Sequence, residues 1–428
     1  MGNQRRSHSY WRPSALSAIN SVMSPLLKIA IVTPFGAEER LDHFADFLLA
    51  QGLIRKGYDL RFYTYRIRSN PEYRDGTYKG VRVYRCSQVK GFSPRLVWQL
   101  LCFRPNVVIL CHIRSLLNFV ASIAARLVGA KVIFQVVGVL HDPYIVADRD
   151  NPIGTMYSEN RIITRFPQFL SCLFNPKKHG SCWENYAYHA PLAQADVRVN
   201  IMNFEHDMLK KATGLESLVI PWGIPLRKEV EERVPDPQRN TSLPESFLFY
   251  IGQVKKRKGW DTIIESLALL KQEGIRKNLV FVTSSSPEEF KEAEDLVTQR
   301  GLADQVWVLF RISNEEKAWF YKRAEATLAP SRYEAFGLTL FESFAAGTPV
   351  LGTDIPVYSD FLFDGETGMV SKKGDPSTLA ENIKRLADPE LRKKLVDGGY
   401  RIVQKFTDGR MVDSFDRLIQ DILSPRSN

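Results

Sequence analysis

The chain has 428 residues, of which 44% are hydrophobic and 25% charged, the composition of a globular protein long enough for two domains of roughly 200 residues each. No apolar run reaches the roughly 18 residues of a spanning helix, because Arg104, Arg114, Arg126 and Lys131 interrupt the apolar region 96–140. The net charge of +10 is uneven: residues 1–225 hold 28 Lys+Arg against 16 Asp+Glu, whereas residues 226–428 hold 30 against 32. A basic first half suits an anionic partner, whether a membrane surface, a phosphorylated acceptor or nucleic acid, or it serves solubility alone.

Residues 1–26 are polar, basic and unpatterned, lack the apolar core of a secretory signal, and read as a disordered tail. Five cysteines (Cys86, Cys102, Cys111, Cys172 and Cys182) form no C-x-x-C pair, so reduced thiols in a cytoplasmic protein are expected. Cys172, His179, Cys182 and His189 alternate, yet they do not match the close pairs of a structural zinc site, and residues 183–189 read as an ordinary helix.

From residue 27 a βαβ opening is predicted: a buried strand at 27–33 ending in Pro34 and Gly36, a helix over 42–56, and a strand over 58–63. Buried strands over 106–111 and 131–137 bracket a helix at 116–127, and 196–200 is another strand. These elements imply an open parallel sheet. Residues 142–179 are weakly patterned and mix Arg161, Arg165, Lys177 and Lys178 with Phe166, Phe169, Leu170, Leu173 and Phe174. They suit either an interfacial or acceptor patch or a packed insertion, and Pro167 argues against one continuous helix.

The polar stretch 227–243, with Pro235 and Pro237, reads as a linker. Beyond it the pattern repeats: strands over 247–251, 278–283, 306–310, 326–329 and 349–352, with helices over 261–272 and 287–299. Residues 408–422 form a closing helix. The predicted units are thus 1–26 (tail), 27–226, 227–243, 244–407 and 408–428. Two doubly wound α/β domains facing one another would place a cleft at the carboxyl ends of their sheets.

Two segments carry chemistry. After the strand at 247–251, Gly252 permits a tight turn, and Lys255, Lys256, Arg257 and Lys258 crowd beside Gly259, a cationic loop suited to a diphosphate. After the strand ending at Ala329, Glu334 lies on a short loop and Glu342 on a helix opening near Gly337, on the order of 12 Å apart at 1.5 Å per residue. Carboxylates accept hydrogen bonds from sugar hydroxyls, and a helix start favours phosphate.

Residues 331–349, SRYEAFGLTLFESFAAGTP, resemble the donor-site motif of retaining glycosyltransferases of family four, relatives of sucrose and glycogen synthases. The resemblance spans most of 27–422. It implies a GT-B fold of two facing Rossmann-like domains, with a nucleoside-diphosphate sugar as donor and no cofactor or metal. Glu334 and the backbone of Phe336, Gly337 and Leu338 would hold the transferred sugar, Glu342 the ribose, and Lys258 the diphosphate. The loop 252–259 resembles the family's G-R-x-x-x-x-K-G pattern, with Gln253 where arginine is usual and Arg257 as its substitute. Gly36 would approach the donor from the first domain, and His141 resembles the family's first-domain histidine; His112, which also ends a strand, is the alternative. Trp222 departs from the usual Pro-Asn-Gly.

The expected function is hexosyl transfer from a UDP- or GDP-linked sugar to a glycan, lipid-linked or small-molecule acceptor, with peripheral contact to an anionic membrane open and no nucleic-acid partner. Other readings stay open: a sugar-nucleotide epimerase or phosphorylase on the same fold, or a basic membrane- or nucleic-acid-binding protein with a degenerate donor site.

Overall fold

Short runs of β-branched and aromatic residues, such as KIAIV, VVILC and LVFVT, are buried on both faces and form the central strands. The computed structural model describes residues 26–34, 44–65, 75–86, 93–139, 162–174, 181–224 and 243–424. In the first sheet these are β1 (Lys28–Val32), β2 (Asp59–Tyr65), β3 (Gly76–Tyr78), β4 (Val81–Cys86), β5 (Val107–Cys111), β6 (Lys131–Val136), β7 (Val197–Asn200) and β8 (Leu218–Val219). The second sheet holds β9 (Leu248–Ile251), β10 (Leu279–Thr283), β11 (Val306–Phe310), β12 (Ala326–Leu328), β13 (Val350–Thr353) and β14 (Met369–Ser371).

The helices of the first half are α1 (Ala45–Arg55), α2 (Pro94–Phe103), α3 (Leu116–Leu127), α4 (Phe166–Phe174), α5 (Cys182–Gln194) and α6 (Asn203–Thr213). Those of the second are α7 (Trp260–Gln272), α8 (Pro287–Gln299), α9 (Asn314–Arg323), α10 (Leu338–Ala346), α11 (Pro376–Arg385), α12 (Pro389–Val403) and α13 (Asp408–Leu423).

Strand order in the first sheet is β3-β4-β2-β1-β5-β6-β7-β8, parallel except for the antiparallel β3–β4 edge pair. The second runs β11-β10-β9-β12-β13-β14, all parallel. Leaving aside the antiparallel β3 edge strand, each order reverses direction once, at β1/β5 and at β9/β12. The loops leaving neighbouring strands there run to opposite sides and open a crevice, where ligands of such sheets bind.

As Pro167 implies, no continuous helix runs through it: 162–165 are non-helical and α4 starts at Phe166, with Pro167 in its first turn, where a missing N–H costs nothing. Two expectations are corrected. Cys172 and Cys182 are joined by a disulfide rather than reduced, their Cα atoms 6.0 Å apart. The packing of α4 against α5 brings the two thiols face to face, and neither sequence spacing nor composition shows that. Elements β3, β4, α2, α4, α6, β8, α9, β14, α11 and α12 stand where no element was predicted.

The chain ends by crossing back. Ile224 N–H donates to Phe406 O at 2.7 Å, and α13 lies along α1. Tyr58 hydroxyl donates to Asp416 at 2.6 Å and accepts from the Gln420 amide at 2.7 Å, while Lys56 meets Asp413 at 2.7 Å. The helices approach closely because Gly52 has no side chain: a Cβ there would stand 2.1 Å from Val412 Cγ2. Gly52→Ala should therefore lower stability by about 1–3 kcal/mol through overpacking, although alanine is the better helix former. A raised melting midpoint would contradict this packing.

Candidate active site

At the second sheet's switch point, the loops after β9 and β12 are pressed together. Gly259 has φ 70°, and a Cβ there would lie 1.9 Å from Pro330 O, so only glycine admits the approach. Arg332 joins the two loops: its backbone N–H donates to Arg257 O at 2.7 Å, and its guanidinium donates to Lys256 O and forms a two-pronged pair with Asp261, both contacts 2.8 Å.

This register brings Lys258 onto Glu334. The Lys258 ammonium donates to Glu334 Oε1, Ser331 hydroxyl donates to the same oxygen at 2.8 Å, and Arg257 Nη1 stands 3.9 Å from Oε2. The Glu334 side chain is 13% exposed, and those of Lys258 and Arg257 20% and 23%. Burial pushes the Glu334 carboxyl up, but Lys258, Arg257 and Ser331 outweigh it and hold its pKa below the ordinary 4.5. Two cations against one carboxylate leave an excess of one positive charge.

That charge sits beside the start of α10. Gly337, the N-cap, has φ 91° and brings no side-chain cap, and the first turn carries no acid. A Cβ on it would meet Tyr358 Cε1 at 2.7 Å. The leading amides and the positive end of the helix dipole suit an anion. Further along α10, Glu342 accepts from the Lys317 ammonium and from Tyr321 hydroxyl at 2.9 Å, and its side chain is 18% exposed.

The structure thus gathers Glu334, Lys258, Arg257, Phe336, Gly337, Leu338 and Glu342 around one loop and helix start. Gly252 opens the β9 loop, where a Cβ would crowd the Tyr250 hydroxyl at 2.6 Å. Gln253 is exposed and ties in through its carbonyl, which accepts from Tyr250 hydroxyl at 3.2 Å. Lys317, Tyr321, Ser331 and Arg332 escaped the sequence reading. The S-x-x-E capping box Ser313–Glu316 that starts α9 was the available signal for Lys317 and Tyr321.

Gly36 and His141 lie outside the described residues. At the first sheet's switch point stands His112, buried, with φ 65° and with its carbonyl and that of Cys111 held by the Asn118 amide at 2.7 and 2.9 Å. Its Nε2 meets Asp46 Oδ2 at 2.8 Å, and Thr33 hydroxyl donates to the same oxygen at 2.7 Å. The Gln135 amide, oriented by its neighbours, donates to Asp46 Oδ1 at 3.3 Å and accepts from Trp222 Nε1 at 3.2 Å. Burial raises the Asp46 pKa, but His112 and the hydroxyl and thiol neighbours bring it below the carboxylate norm. Trp222 then edges His112 at 5.7 Å and Phe336 at 5.6 Å, linking this buried polar cluster to the Glu334 loop.

Two consequences are testable. Arg332→Ala should cost about 1.5–3 kcal/mol from the lost charged hydrogen bonds and speed amide exchange at 255–259 and 331–334; exchange unchanged in both loops would contradict the staple. Glu334 has a depressed folded pKa, so its stabilising contribution is complete above pH 4.5 and is lost as pH falls through the lower folded value. Glu334→Gln should flatten the melting midpoint's decline below pH 4.5, and an unchanged acid limb would contradict the pairing.

The chain is similar to several known proteins. Residues 235–402 match the family described as Glycosyl transferases group 1. D-inositol 3-phosphate glycosyltransferase of Acidothermus cellulolyticus is 30% identical over 186 residues, 42% of this chain and 42% of that protein. Alpha-D-kanosaminyltransferase of Streptomyces kanamyceticus is 28% identical over 35% of this chain and 39% of its own length. The alignments thus span less than half of these two relatives. Among solved structures, sucrose-phosphate synthase of Thermosynechococcus elongatus superposes with a TM-score of 0.69 at 20% identity, covering 92% of this chain and 99% of that one. The Anabaena protein HepE, solved with UDP and glucose, superposes with a TM-score of 0.66 at 13% identity over 92% and 100%. The chain therefore carries a glycosyltransferase group 1 domain at residues 235–402, within two facing Rossmann-like sheets of the GT-B fold.

Proposed function

We propose that this chain is a retaining, metal-independent glycosyltransferase that moves a hexosyl unit from a nucleoside-diphosphate sugar to a glycan, lipid-linked or small-molecule acceptor. The observation that carries the reading is the Lys258–Glu334–Arg257 cluster at the uncapped start of α10. Its excess positive charge and the helix amides suit a diphosphate without a divalent cation. A UDP-linked donor is favoured, since HepE is solved with UDP-glucose. The D-inositol 3-phosphate glycosyltransferases among the relatives make an anionic acceptor reasonable, and a basic first half suits one.

In this mechanism the acceptor hydroxyl attacks the face from which the nucleotide departs. The bond from the anomeric carbon to the diphosphate oxygen breaks as the new glycosidic bond forms, and the donor phosphate takes the acceptor's proton. Lys258 and Arg257, with the amides of Gly337 and Leu338, stabilise the growing charge on the diphosphate. Glu334 keeps Lys258 in place and accepts from a hydroxyl of the transferred sugar. A carboxylate offers about four lone-pair sites, so Glu342 can take the ribose hydroxyls while keeping Lys317 and Tyr321. His141 and Gly36 would complete the site from the first domain.

A thermal-shift panel of UDP- and GDP-sugars is expected to show stabilisation by UDP-sugars above GDP-sugars; no shift with either would overturn the donor reading. Glu342→Ala should weaken UDP binding about 10- to 100-fold, the range of lost hydrogen bonds to a charged group. Affinity left unchanged would remove Glu342 from the ribose site. Incubation with the donor alone should leave the sugar's stereochemistry intact; an epimerised product would favour an isomerase instead.

A further inference from the structure

The first domain exposes large apolar side chains on three consecutive helices. On α4, Phe166 is 55% exposed, Leu170 44%, Leu173 54% and Phe174 91%; Trp183 on α5 is 55% and Leu127 on α3 69% exposed. Those of α4 and α5 belong to one surface: Phe119 of α3 edges Trp183 at 5.5 Å, Trp183 meets Phe169 at 6.3 Å, and Phe169 meets Phe166 at 5.9 Å. Helix α4 buries only Cys172 fully, and the Cys172–Cys182 disulfide pins it to α5, so its outer face is presented by a fixed helix. Contiguous exposed apolar area of this kind marks an interaction site rather than scattered surface residues.

The charge around it identifies the partner. Arg126 of α3 donates to Gln194 O at the end of α5 at 3.0 Å and Arg114 lies over the Tyr188 ring of α5 at 5.8 Å, whereas Arg95 and Lys131 are paired with Asp75 and Asp196. Exposed Arg165 stands directly before α4, and the acid of α5, Glu184, accepts from Tyr188 hydroxyl at 2.7 Å. An apolar and aromatic face framed by arginines and nearly free of acids matches an anionic bilayer: rings and aliphatic chains enter the headgroup boundary, while guanidinium groups meet lipid phosphates. Among the described residues no helix is long and apolar enough to cross a membrane, so the contact is one of lying on the surface. We propose that the α3–α5 face docks the protein on an anionic lipid membrane. This stands apart from the transferase reading, because vesicle binding is measured without turnover.

The experiment is co-sedimentation of the full chain with vesicles of phosphatidylcholine alone or mixed with phosphatidylglycerol, beside the variant Leu170→Ser/Leu173→Ser/Phe174→Ser and the variant Arg165→Glu. The expected result is binding to the mixed vesicles, weakened by added salt and reduced about tenfold or more by the triple variant, with Arg165→Glu also weaker and melting midpoints unchanged. Absence of sedimentation, or equal binding by the triple variant, would overturn the proposal. So would a concentration-dependent dimer on size exclusion that the triple variant abolishes, which would assign the face to a second copy of the chain.

Discussion

A carboxylate that is largely removed from water must be matched by a cation, and the Glu334–Lys258 pair is the constraint around which the second domain's site is arranged. The partners lie on separate loops, leaving β9 and β12, so the pair forms only if those loops keep one register. Two devices enforce it. Gly259 lets the first loop touch the Pro330 carbonyl, and Arg332 clamps Asp261 while bonding the backbone of the lysine loop. With the register fixed, Glu334 neutralises one of two cations, three residues before the side-chain-free N-cap of α10. In the proposed reading this is an anion site held in place before any anion arrives.

The two domains are coupled through packing and buried polarity. Trp222 bridges the Asp46–His112 cluster at one switch point to Phe336 at the other, and Phe336 stacks on Phe341 at 4.6 Å. Helix α13 returns to α1, fitted by the missing side chain of Gly52. A shift of one sheet against the other must therefore disturb both the aromatic bridge and the α1–α13 contact.

Much of this was legible in the sequence where local and global signals agree. Apolar runs marked the parallel strands, the order of strands and helices marked the doubly wound class, and the Glu334–Glu342 interval with its glycine marked the loop and helix start. What escaped had physical reasons. Helix α9 is polar outside a narrow stripe and carries little periodicity, whereas α11 and α12 bury Leu379 with Ile383 and Leu395 with Ile402 at helical spacing and were legible without being assigned. Their caps, Ser313, Asp375 and Asp388, were the readable signs. Strand β3 is a three-residue edge strand with no buried position, and β4 interleaves Arg82 and Arg85 with its buried Val81, Val83 and Cys86. Contacts between distant residues, such as Asp46 with His112 or Lys317 with Glu342, depend on helix packing that spacing along the chain does not encode. The disulfide belongs to the same class.

The central claim is that a diphosphate is held between the α10 amides and the Lys258–Arg257 pair. Its most direct measurement is a crystal structure of the protein with bound UDP. The account predicts phosphate oxygens within hydrogen-bond distance of Lys258 Nζ and of the Gly337 or Leu338 amide, with Glu342 on the ribose. Phosphates lodged elsewhere, with the Glu334–Lys258 pair untouched and the start of α10 empty, would contradict it.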